Sequence, residues 1–213
     1  MIPIKHICSL GKNCHGAGII KRNNWKKESY PFDWIFTNDK MIKHCIDDDF
    51  KIFLEKKYYI DMDPQAWQQT HAFYHPFSDD KTFNHHNPLL ESDFKYFNRC
   101  VERFRLLLKT NKFKVFLYMI VNNDPLNENV RNKSLELNQK LKQKTENFSI
   151  ICINHTISNK QSYTFETNDN IHFIQLYTKS ASNGKEFILS EDNIFLDNLL
   201  KEVYIFNIEP IKS

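Results

Sequence analysis

Three of the four glycines in this chain, Gly11, Gly16 and Gly18, crowd into the ten residues SLGKNCHGAG beside Cys14 and His15. Glycine tolerates positive φ and lets backbones approach closely, so the cluster predicts a tight turn at a place where the backbone must touch something. The β-rich run IKHICSL precedes it and CHGAGIIKR comes after, which reads as strand, turn and helix with Cys14 in the first helical turn. A helix N-terminus presents free N–H groups and a positive dipole end, and both favour thiolate over thiol. The amides from Asn13 to His15 could then steady an oxyanion, with Gly11 and Gly16 leaving room for a substrate. The chemistry expected is nucleophilic attack on an acyl carbon, by a Cys14 thiol more accessible than those of Cys8, Cys100 and Cys152. A structural alternative stays open, because cysteine is among the most buried residues and glycines at a strand-to-helix turn also serve packing. A third reading is a non-catalytic binding module, in which the turn holds a phosphate or sugar-nucleotide group and Cys14 is a bystander. Neither Gly-x-Gly-x-x-Gly nor a Lys-Ser/Thr ending supports it. A host-interaction protein with no ligand is a further alternative.

Other residues compete for chemical roles. His15 adjoins Cys14 but points about 100° around a helix from it, which makes it a poor base. In HAFYH, His71 and His75 stand at i and i+4, a spacing that suits two metal ligands on one helix face, with His85 or Cys45 to complete a zinc site. Ala72 stands where a zinc-protease helix needs glutamate and Pro76 ends any helix, so no metal and no cofactor is expected. Asp33 in PFDW, among Pro31, Phe32 and Trp34, is either hydrogen-bonded to loop backbone or part of a site. Arg99 and Arg103, one helical turn apart, either clamp an anionic group or form the solvated face of a helix. The acidic run Asp47 to Asp49 lacks the spacing of a calcium loop.

These residues need a scaffold, and the patterning supplies one. TNDKMIKHCIDDDF reads as a helix capped by Thr37 or Asn38. From Glu91, the positions Phe94, Phe97, Val101, Phe104, Leu107 and Leu108 form a helical stripe. KVFLYMIV, FSIICIN and IHFIQLYT are continuous apolar runs of strand length, VYIFNI is a further strand candidate, and SLELNQKLKQKTEN and SEDNIFLDNLLKEV are helices between them. Such alternation predicts an α/β fold of three layers around a mainly parallel sheet, Rossmann-like or esterase-like. An irregular aromatic and histidine-rich insertion is expected over about 56–90. If the first strand is central, the glycine turn lies at its carboxyl end, where open α/β sheets place ligands.

At 213 residues with 41 % hydrophobic content, the chain is expected to form one domain over 1–213. A net charge of +3, from 29 basic and 26 acidic residues well mixed along the sequence, gives no field for nucleic acid or membrane. Five scattered cysteines without CxxC pairing fit a reducing compartment. With no signal-like or membrane-length apolar run, an intracellular, cytoplasmic protein is expected. The surplus of Asn, Lys and Ile fits an AT-rich genome, such as a parasite or a large DNA virus, and for a virus the host cytoplasm.

Taken together, SLGKNCHGAGIIKR, SYPFDWIF, HHN and the helix DFKYFNRCVERFRLLL leading into KVFLYMI resemble the "putative papain-like cysteine peptidase" family of bacteria and large DNA viruses, with the order and spacing matched over most of the first half. The resemblance implies Cys14 as nucleophile and puts the His-Asp pair of the family on His86 and Asn87. Asn in place of Asp can still orient a histidine but cannot stabilise the imidazolium by charge. Asp33 is the alternative orienter. On this resemblance the substrate is a peptide, ester or amide. A papain fold would pack a barrel on one helix, whereas the alternation argues for a parallel sheet.

Overall fold

The computed structural model describes residues 2–63, 68–77, 81–83 and 85–211. Five strands form one sheet in the order β1 (His6–Ser9), β4 (Lys114–Ile120), β5 (Phe148–Ile157), β7 (Ile171–Thr178), β6 (Ser162–Asn168). The first four are mutually parallel, in registers such as Cys8 with Phe116 and Tyr118 with Cys152, and only the edge strand β6 runs antiparallel. The expected three-layer, mainly parallel α/β architecture is what the chain adopts.

Strand alternation assigns the two faces. Cys8, Phe116, Tyr118, Ile150, Cys152 and Phe173 point into one core with α2 (Asp39–Asp47), α3 (Glu91–Lys109) and α4 (Glu128–Lys142). Ile7, Val115, Leu117, Ile151, Ile153 and Leu176 point into the other, under α1 (His15–Arg22) and α5 (Ser190–Val203). Burial on both faces explains why β4 and β5 read as unbroken apolar runs. Asn38 and Asn127 cap α2 and α4, accepting from the amides of Met41 and Val130. Because Asn127 provides that cap, α4 starts at Glu128, six residues before the helix read from SLELNQKLKQKTEN.

Two expectations need correction. VYIFNI is not a strand: α5 continues to Val203, and beyond it Phe206 makes only an isolated parallel bridge to Ile4. Within the insertion, β2 (Tyr59–Asp63) and β3 (Gln68–His71) form an antiparallel pair, so His71 ends a strand and His75 starts a short 3-10 turn. They share no helix face. His71 Nε2 is hydrogen-bonded to the Ile52 carbonyl at 3.0 Å and its ring lies among Phe53, Tyr58 and Tyr74, a packing role. Among the described residues no group of histidines, cysteines and carboxylates could hold a metal ion. None of their helices is long and apolar enough to cross a membrane.

Candidate functional site

The glycine turn lies at the carboxyl end of β1, but β1 is an edge strand of the sheet, paired with β4 alone among the described strands, and not the central strand that the expectation required. Gly11 takes φ +88°, and a Cβ there would come within 2.0 Å of Thr37 Oγ1, so the turn can be made only by glycine. A Cβ on Gly16 would meet Ser9 Oγ at 2.5 Å, and one on Gly18 the Lys185 carbonyl at 2.3 Å. The space beside the glycines is therefore filled by this chain's own β1, Thr37 and the 183–187 loop rather than left open.

Cys14 occupies the N-cap position of α1. It is 4 % exposed, and all five cysteines are buried and unpaired, so the expected difference in accessibility from Cys8, Cys100 and Cys152 is absent. Burial pushes its thiol up to about 11, the Asp33 carboxylate adds to the rise, and Lys185 opposes it. The helix terminus does not outweigh desolvation here. Two amides near the turn are already engaged, that of His15 by Asn13 Oδ1 at 3.1 Å and that of Gly11 by Ser9 Oγ at 3.3 Å.

Asp33 is 4 % exposed and accepts a hydrogen bond from the Tyr30 amide at 2.9 Å. Burial raises its carboxyl to about 7, against the Tyr30 bond and the Lys26 charge. Burial raises the Cys8, Cys14 and Cys100 thiols, and the Asp33 charge adds to each rise. Replacing Asp33 by Asn is expected to lower the Cys14 pKa and speed its alkylation severalfold at pH 8, read by mass spectrometry of the labelled peptide. Lys185→Ala should slow the same reaction.

His86 is half-buried, stacks on Tyr96 at 4.1 Å and places Nδ1 3.4 Å from Asp93 Oδ1. Asn87 does not orient it: the Asn87 side chain accepts from the Leu89 amide, and its own amide donates to Asp93 Oδ2 at 2.7 Å. Asp93, in the first turn of α3, is thus the carboxylate paired with His86, and sequence reasoning missed it because it lies six positions beyond Asn87. Tyr96 joins this pair to Asp33, which affects its phenol electrostatically. His85 meets Trp34 edge-on at 5.9 Å and feels Lys185, the same cation that acts on Cys14. His15 is turned away, wholly buried, with Nδ1 2.7 Å from Ser182 Oγ, and burial lowers it to about 3. Arg99 is exposed and Arg103 half-buried, one helical turn apart on α3, and the Arg103 charge opposes the rise that burial gives the Glu28 carboxyl.

The fold and this junction define a mainly parallel α/β protein with a buried cysteine at the carboxyl end of β1. The chain belongs to the family described as "putative papain-like cysteine peptidase", whose profile matches residues 5–158 and so covers Cys14, Asp33, His86 and Asp93. Its fold is nevertheless three layers around a mainly parallel sheet, not a barrel on one helix. No curated protein and no solved structure matches the chain.

Proposed function

We propose that the protein is a cysteine-dependent acyl-transfer hydrolase acting on a peptide, ester or amide, with Cys14 as nucleophile and His86 as base. The observation that supports this best is the place of Cys14, at the N-terminus of α1 and the carboxyl end of β1, in a family described by cysteine peptidase chemistry. His86 turns Nδ1 to Asp93, which leaves Nε2 as the atom to take the thiol proton. The sulfur forms a bond to the carbonyl carbon, and the imidazolium returns the proton to the leaving group. Water, deprotonated by the same histidine, then hydrolyses the thioester. With the Cys14 thiol near 11, deprotonation must accompany attack, so the base carries much of the rate.

Hydrolysis of p-nitrophenyl acetate is the test. His86→Ala should lower the Cys14-dependent rate by about 10²–10⁴-fold, the usual scale for a general base. Asp93→Asn should lower it less, and Asn87→Ala least. A His86→Ala enzyme with the unchanged rate would remove the base assignment.

One observation favours the binding-module reading. A cleft of about 330 Å³ runs past Gly18 and is lined by Lys21 and Lys185, cations suited to a phosphate or sugar-nucleotide group, with Glu186 and with Arg22, which is held by Asp197. Loss of anion binding in Lys21→Ala, with Cys14→Ala silent in every assay, would support that alternative.

A further inference from the structure

A second cleft, of about 220 Å³, opens at the carboxyl end of β4 between the N-termini of α2 and α4. Tyr118 lines it and is 2 % exposed, yet its hydroxyl has no hydrogen-bond partner among the described residues. The ring is fixed in the core while its hydroxyl opens on the cleft, so a ligand can take that donor without breaking a bond within the protein. Lys12 and Asp124 line the same cleft with opposite charges, and neither side chain makes an ion pair with another described residue. By contrast Asp39, also at the cleft, is satisfied by Lys43 at 3.3 Å and Lys133 at 3.8 Å. Asn123 and Asn127 complete the polar wall, and their amide groups are partly spent on Asn154 and on the α4 cap.

From the unpartnered Tyr118 hydroxyl between an uncommitted Lys12 and an uncommitted Asp124, we infer that this cleft binds a small free α-amino acid. The ligand carboxylate faces Lys12, where the two helix N-termini also favour negative charge. Its ammonium faces Asp124, and Tyr118 donates to a ligand oxygen. The volume suits one amino acid rather than a peptide or a nucleotide. A neutral polyol would leave both charges unused. The inference is independent of the role given to Cys14, because none of the groups it uses belongs to the Cys14, Asp33 and His86 cluster.

Isothermal titration with glycine, alanine, serine and glutamine, each also as its N-acetyl and methyl ester form, and with glycerol as the polyol, tests it. Saturable binding of at least one free amino acid is expected, weakened at least tenfold by either blocking group. Tyr118→Phe keeps the ring and the packing and should weaken binding about fivefold or more. Lys12→Ala, an exposed change with no folding role, should do so at least as strongly. Absence of saturable binding up to tens of millimolar, binding of blocked forms or glycerol as tight as that of the free amino acid, or unchanged affinity in both Tyr118→Phe and Lys12→Ala would each overturn the inference.

Discussion

Taking the protein from pH 6.5 to about pH 4.5 is expected to cost several kcal/mol of folding stability. His15, His71 and His155 are wholly buried, and desolvation lowers them to about 3, 4 and 4 respectively. A histidine whose folded pKa lies below its unfolded value contributes stability that is complete above about 6.5 and is lost as pH falls through the folded pKa. Each contributes a slope of about 1.4 kcal/mol per pH unit in that window. Asp33 works the other way, since its folded value of about 7 lies above the ordinary one, and its contribution grows as pH falls from 7 towards 4. One carboxyl offsets one histidine, so about two histidines' worth of acid lability remains, against a total stability of roughly 5–15 kcal/mol.

The structural locus is definite. His15 and His155 hold Phe187 between them, with ring centroids 4.6 Å away on each side. His155 Nδ1 accepts from the Asn122 amide at 3.1 Å, which leaves Nε2–H to donate to Thr178 Oγ1 at 2.7 Å. Protonating that ring removes the acceptor of the Asn122 amide, so the β4–α4 loop at Asn122 and the β7–α5 loop that the Asn122 side chain holds at Ser182 should loosen first. Urea midpoints at pH 7, 6, 5 and 4.5 measure the slope, and His155→Gln should reduce it by one proton. A midpoint constant over this range would contradict the assignment of these rings as buried and neutral.

The second large effect concerns Gly18. In a solvent-exposed helix, replacing glycine by alanine stabilises by about 1 kcal/mol. Here the sign should reverse, because the added Cβ, fixed in direction by the helix backbone, meets the backbone carbonyl of Lys185 at 2.3 Å. Overpacking of this kind costs roughly 1–3 kcal/mol for Gly18→Ala, and Gly18→Val should cost more. Gly184→Ala is the control: it has φ +94° but nothing within 4 Å of the new Cβ, so only left-handed strain of about 1–2 kcal/mol is expected. Thermal unfolding of the three variants gives the order. A Gly18→Ala protein as stable as wild type would mean that the 183–187 loop is not seated on α1. Displacing that loop also moves Lys185, so the Cys14 pKa should rise further in Gly18→Ala.

The parallel sheet was legible because β4, β5 and β7 are buried on both faces and therefore read as short unbroken apolar runs. The edge strand β6 was not, since its residues are nearly all exposed and its pairing depends on the turn at Asp169 and Asn170. In VYIFNI the apolar run serves first as the end of α5 and then as a bridge to Ile4, a division made by tertiary packing that periodicity does not reveal. At the site, the sequence located the turn but misjudged what fills it. Thr37, Ser9 and the Lys185 carbonyl occupy the space that glycine clears, and these contacts come from segments up to 167 positions away. The group orienting His86 was sought at the adjacent Asn87 or at Asp33, and the carboxylate beside its Nδ1 is that of Asp93, which a helix start brings back onto the loop. The Tyr118 cleft had no local signal, because Lys12, Tyr118 and Asp124 meet only when β1 and β4 lie side by side.

The most direct measurement of the Cys14 assignment is to find which side chain becomes acylated. After brief exposure to p-nitrophenyl acetate and acid quench, peptide mass mapping should place a hydroxylamine-labile acetyl group on Cys14. It should form much more slowly in His86→Ala and not at all in Cys14→Ala. Labile acetyl groups on Cys8, Cys45, Cys100 or Cys152 to the same extent as on Cys14, or acetylation of lysines alone at a rate that Cys14→Ala leaves unchanged, would contradict a nucleophilic Cys14 and leave the glycine turn as a packing device.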